Sequence, residues 1–213
     1  MADPQVTSAA PSDVEIAIIE AARDLIAEGG MDALSMRGVA ERVGISATAI
    51  YHHFANKQAL VDRVVGRAFE QFGSDLERAM RQHAKGSLER VAALGEAYIR
   101  FAMEHGAYFR VIFSIAAPNP REVEELPYGA GYPLLRQTVV EAMEAGTMRA
   151  GDPDLMAHYL WSLAHGIVTL TLSCRLHGCP QCVGDEDAVA LNLFHGFDVW
   201  IRQGITAPVG EVA

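Results

Sequence analysis

Residues 34–60 read LSMRGVAERVGISATAIYHHFANKQAL. Three residues that cap helices, Ser35, Ser46 and Asn56, each stand before a stretch with helical spacing. Gly44 falls between the first two stretches, where a tight turn needs a positive φ that is cheap only for glycine. Ala40 is small where two short helices must approach, and Ile50 comes six residues after Gly44. With Val39, Val43, Ile45 and Phe54 it makes the inward side of a small core. Two short helices joined by a glycine-bearing turn are a helix-turn-helix.

If Ile50 and Phe54 face inward, the third helix shows Ala47, Thr48, Tyr51 and His52 outward. Ala47 and Thr48 are small at the helix start, so that end can enter a major groove and reach base edges, with His52 beside them. Tyr51 and His53 have polar tips that can meet phosphate oxygens. Lys57 sits in the first turn of the fourth helix, where a cation is unfavourable unless an anion binds the free N–H groups there. Arg37 and the cap Ser46 complete the candidate DNA-contacting set.

Working outward, helical periods run through the chain and strand signals are scarce. Residues 11–30 open with Ser12 and Glu15 at capping-box spacing and close on Gly29 and Gly30. The fourth helix is expected to run to about residue 84. Others are expected near 87–105, 107–116, 133–145, 153–176 and 187–203, and the proline-rich stretch 117–133 reads largely as a loop. The fold class is therefore all-α. Residues 1–12 read as a disordered arm, 13–60 as the helix-turn-helix domain, 61–205 as a helical C-terminal domain for ligand binding and dimerisation, and 206–213 as a loose tail.

The quoted segment resembles the DNA-binding segment of the tetracycline-repressor (TetR) family, and the likeness spans residues 16–65. It rests on a leading helix ending in glycine, Ser35 and Ala40, Val43-Gly44, and the run Tyr51, His53, Phe54 with Lys57 three residues on. The resemblance implies an all-helical, homodimeric transcription regulator, usually a repressor, released from operator DNA by a small-molecule effector. At position 52, often Arg, Tyr or Asn in such proteins, this chain has His52.

The chain has 213 residues and a formal charge of −10. Residues 1–60 carry four Arg or Lys against eight carboxylates, so DNA binding must rest on a few positioned groups rather than on a basic patch. No uninterrupted apolar run reaches the ~18 residues of a membrane span, and the first residues do not resemble a signal peptide. The expectation is a cytoplasmic protein with no membrane partner.

In the second half, His158, Trp161 and His165 share one helical face, and Gly166 follows. The Trp-x3-His-Gly pattern and the stretch HGAYFRVIFS, residues 105–114, resemble one C-terminal subfamily of these regulators. Glycine within a helix costs roughly 1 kcal/mol against alanine, so Gly166 and Gly196 suggest helix crossings. With Leu170, Phe194 and Trp200 they are expected to form a dimer interface of two helices per subunit. Phe101, Tyr108, Phe109, Phe113, Tyr132 and Trp161 are candidate walls of an effector cavity, with His105 and His165 as polar handles.

Cys174, His177, Cys179 and Cys182 fall within nine residues. Three readings stand open: a zinc-type metal site using all four, a thiol switch at Cys179 and Cys182, and an inert loop. The metal site would be strained, because only Gly178 separates the two ligand pairs. No other cofactor is expected. An enzyme using that thiol pair, a thiol oxidoreductase, is the rival from another class. It lacks the βαβ pattern usual around such motifs and leaves the helix-turn-helix unexplained.

Overall fold

In a computed structural model, residues 13–114, 131–173 and 186–206 are described. Every regular element among them is an α-helix. The order is α1 (Asp13–Ala33), α2 (Met36–Val43), α3 (Ala47–His53), α4 (Lys57–Met80), α5 (Leu88–Glu104), α6 (Gly106–Ser114), α7 (Gly131–Glu144), α8 (Pro153–Leu172) and α9 (Glu186–Thr206).

Local chemistry sets the first boundaries. The Ser35, Ser46 and Asn56 side chains accept from the backbone N–H of Gly38, Ala49 and Ala59, each capping the helix that follows. Gly44 ends α2 in the left-handed region at φ 79°. Gly29 and Gly30 break the helical path of α1, with Gly30 at φ 70°.

α1 to α3 close over a core of Ile18, Ile26, Val39, Ile50 and Phe54, all buried. The first turns of α4 belong to the same core through Leu60, Val61 and Val64. From Ala68 onward the same unbroken helix turns its apolar face to a second core, with Phe69, Phe72 and Leu76 set against Tyr98, Phe101, Phe109 and Val168. A smaller cluster joins α5, α7 and α8 through Val91, Val139 and Ala157. α4 stops at Met80, short of the expected residue 84. The Arg90 guanidinium, from the first turn of α5, donates to the Met80 and His83 carbonyls and satisfies groups that a longer helix would have used.

α6 serves both cores. Val111 is fully buried among the residues of α1 and α4, while Phe109 and Ile112 lie in the C-terminal core.

α8 is 20 residues long, and its most apolar window has a mean hydropathy of 1.2, enough by length and composition to cross a membrane. That departs from the expectation drawn from uninterrupted apolar runs. Ala157, Ala164, Ile167 and Val168 are buried within the domain, and His158 and His165 interrupt the apolar sequence of this continuous helix.

Candidate DNA-reading head and effector core

α3 is seven residues long and anchored by Ile50, which has no exposed surface. Phe54, at its C-cap, is also buried. The residues expected to face DNA are all exposed: Ser46, Ala47, Thr48, Tyr51, His52 and His53. Tyr51 exposes 56% of its surface, which leaves its ring and hydroxyl open to a partner.

The permanent cations of the head are already engaged. Arg37 donates to Glu41 at 2.8 Å along α2. Arg42 makes a two-pronged bond to Glu28 at 2.9 Å through each nitrogen, which holds the Glu28 carboxyl below its ordinary range. Lys57 stands at the first position of α4 as expected, but its ammonium reaches back to the Met31 carbonyl at 2.8 Å. Here the lysine ties the start of α4 to the last turn of α1, beyond its break at Gly29 and Gly30.

In the C-terminal core the candidate cavity residues part company. Phe109, Phe113, Trp161 and His165 come together: the Phe113 ring lies 4.8 Å from His165, Phe109 5.8 Å and Trp161 6.1 Å. Their polar centre is Tyr98, which the sequence reading missed. Its hydroxyl is 2.7 Å from His165 Nδ1, and burial pushes its ionisation well above the ordinary tyrosine value. Burial lowers the pKa of His165. The pair is thus neutral near pH 7, a tyrosine and an imidazole among aromatic rings. Tyr98 lies three residues before Phe101 on one helical face, the signal that could have found it.

Phe101 sits deeper, 1% exposed and 4.9 Å from Phe72. His105 ends α5, 4.0 Å from Asp75 of α4. Tyr132 belongs to a surface group on α7 and α8, 2.9 Å from His158 Nδ1, with Asp154 held by Arg136 beside it. A separate cleft of about 260 Å³ opens between α4 and α5, lined by Asp75, Arg78, Glu96, Arg100 and Phe101. Two charge pairs lie in its wall, Arg78 with Asp75 at 2.5 Å and Arg100 with Glu96 at 2.6 Å.

Two family models match this architecture. Residues 18–64 match the bacterial regulatory proteins of the tetR family, and residues 91–195 match the tetracyclin repressor-like C-terminal domain. The chain belongs to the TetR family. Over 45 residues it is 51% identical to the class A tetracycline repressor protein from transposon 1721 of Escherichia coli, a match that spans 21% of each chain. It is 26% identical over 160 residues to the transcriptional activator FasR of Mycolicibacterium smegmatis, covering 73% of this chain and 67% of that one. A solved structure of a protein of unknown function from Rhodococcus sp. RHA1 superposes with a TM-score of 0.74 at 26% identity, covering 96% of this chain and all of that one. The ketosteroid regulator KstR2 of Mycobacterium tuberculosis shares the fold, with a TM-score of 0.68 at 21% identity.

Against this TetR architecture two expectations need correction. Tyr108 was expected in the cavity wall; instead its hydroxyl donates to Glu20 of α1 at 2.5 Å, with the Arg23 guanidinium over its ring at 4.9 Å. α6 enters the molecule between the two cores; the Tyr108 ring is buried with the C-terminal core, and its hydroxyl reaches across to α1. Phe194 was expected at a dimer surface; it is 8% exposed and packs on Gly95 of α5. A Cβ at Gly95 would lie 2.5 Å from the Phe194 ring, so the glycine is what lets α5 and α9 close on each other.

Gly166 and Gly196 differ from Gly95. A Cβ at either meets nothing within 4 Å, so neither marks a helix crossing within this chain. Leu170 is exposed, as expected of an outer face. The side chain of Trp200 lies outside the described residues, as do Cys174, His177, Cys179 and Cys182.

Proposed function

We propose that this chain is a homodimeric, ligand-responsive regulator of transcription, a repressor that reads operator DNA with α3 and releases it when a neutral small molecule enters the aromatic core around Tyr98 and His165. The observation that carries the reading is the double attachment of α6. Phe109 and Phe113 stand against His165, while Tyr108 and Val111, on the same nine-residue helix, hold α1. A molecule that displaces the first pair moves the second, and with it the helix that backs the reading head. Such a molecule shifts the DNA equilibrium only by its unequal affinity for the two arrangements.

The surface that supports a dimer is the outer side of α8 and α9. Leu155, Tyr159, Gly166 and Leu170 recur at helical spacing on α8, and Gly196 and Phe197 lie on α9. Tyr159 exposes 62% of its surface, Leu155 50% and Phe197 48%. Apolar side chains aligned on two adjacent helices suit a second copy of the chain, which would complete a four-helix bundle about a two-fold axis.

The reading places the protein in the cytoplasm, on DNA and off the membrane, with no catalytic role. Selection of duplexes from a random-sequence pool tests it. The enriched site should contain two related half-sites, and Thr48→Ala or Tyr51→Ala should weaken its binding. A protein that enriches no sequence is not an operator-binding regulator.

A further inference from the structure

We propose that His52 and His53 meet DNA as imidazolium ions, so that the head takes up protons when it binds and holds its operator more tightly in mild acid. The inference rests on the DNA-binding reading above and adds to it a proton as a second ligand of the head.

Between residues 13 and 64 the chain has five Arg or Lys side chains against eight carboxylates. Each of the five is occupied. Arg23 pairs with Glu20 and Asp24, Arg37 with Glu41, and Arg42 with Glu28. Arg63 lies between Glu15 and Glu70, and Lys57 donates to the Met31 carbonyl. A head arranged in this way offers DNA little free positive charge, although phosphate neutralisation supplies most of the affinity of such proteins. On the reading helix itself stand two exposed histidines with no hydrogen bond to another described residue. Both lie in the last turn of α3, where the backbone carbonyls favour a cation.

The charged groups on the elements packed around α3 are Arg37, Glu41 and Arg42 on α2, Glu28 and Asp32 at the end of α1, and Lys57 on α4, and Arg42 holds the Glu28 carboxyl below its ordinary range. Among side-chain types, histidine alone ordinarily changes charge between about pH 6 and 8. The bound state holds more protons than the free state, so affinity is highest at low pH and falls as pH rises through the range in which the DNA-bound rings titrate. A ring whose proton affinity rises tenfold against phosphate contributes about sixfold in Kd between pH 8 and pH 6, and two contribute roughly 30- to 40-fold.

The test is fluorescence anisotropy at fixed ionic strength, using the full chain and a labelled duplex recovered from the random pool at pH 6. Wild-type Kd should fall by at least fivefold from pH 8 to pH 6. His52→Gln and His53→Gln, both exposed and so compatible with the fold by circular dichroism, should each flatten part of the response, and the double variant should flatten most of it. A wild-type Kd constant within twofold across that range overturns the proposal. So does a double variant that keeps the full pH response, since other groups would then carry the protons. If no duplex binds at any pH, the DNA-binding reading falls with it.

Discussion

The hydroxyl of Tyr108 donates to Oε1 of Glu20 at 2.5 Å, joining α6 to α1 across 88 residues of sequence. Glu20 also pairs with Arg23, whose guanidinium covers the Tyr108 ring, so one phenol, one carboxylate and one guanidinium share the junction. Hydrogen bonds to charged groups contribute about 1.5–3 kcal/mol, and Tyr108→Phe removes this one while keeping the ring. Urea titration should show a loss of about 1–2 kcal/mol in that variant. Loss of effector response with operator affinity retained would mark the junction as the coupling element.

The same residue gives a signature at high pH. Burial and the Glu20 carboxylate push the Tyr108 phenol up to about 12. The folded value lies above the unfolded one, so its stabilisation is complete below pH 10 and declines as pH rises toward 12. Tyr108→Phe should flatten the loss of stability over that interval, read by urea titrations at pH 9 and pH 11.

The pH sign is reversed at His165. Burial depresses its pKa, so its stabilisation is present above the ordinary histidine value and declines as pH falls toward the folded one. Tyr98→Phe would leave Nδ1 of a half-buried ring unpaired, at a cost of about 1–3 kcal/mol. That variant should melt lower at pH 7 and lose the quenching or enhancement of Trp161 fluorescence that marks a molecule entering the core.

Gly95 and Gly166 make a paired test of inside against outside. Gly95→Ala crowds the buried Phe194 ring and should cost about 1–3 kcal/mol without changing sedimentation. A Cβ at Gly166 meets no atom of its own chain within 4 Å, so Gly166→Leu should change the stability of the monomer less than Gly95→Ala does while shifting the sedimentation profile toward monomer. A dimer untouched by Gly166→Leu would move the interface off this face.

The head was read nearly whole because its determinants are local: the caps Ser35, Ser46 and Asn56 and the turn at Gly44 each act within four residues of their own position. The core residues Val39, Ala40, Ile50 and Phe54 followed from that geometry, with Val43 and Ile45 half-buried at its edge. The candidate effector core was read only in part. Phe109, Phe113 and Tyr108 lie on one short helix, and which of them meets His165 and which reaches Glu20 depends on α1 and α8 arriving from distant parts of the chain. Phe194 looked like a surface residue for the same reason, since nothing beside it in sequence announces that Gly95 leaves room for its ring. Lys57 was placed correctly on its helix, but the Met31 carbonyl that holds it lies 26 residues away.

Lys57 also separates positioning from charge. If it exchanges the Met31 carbonyl for a phosphate on binding, Lys57→Ala should weaken all DNA sequences alike and lower the salt slope by about 0.9. If it stays on the carbonyl, the slope will not change and the variant will lose only stability.

The central claim is that α3 reads DNA, and operator titration tests it most directly. A duplex enriched from random sequence should bind the full-length chain with a Kd on the order of 10⁻⁸ M or tighter at physiological salt, at least 10³-fold tighter than a scrambled duplex. Tyr51→Ala should weaken that binding at least tenfold, with the fold intact. Equal micromolar binding to both duplexes, unmoved by Tyr51→Ala, would contradict the account.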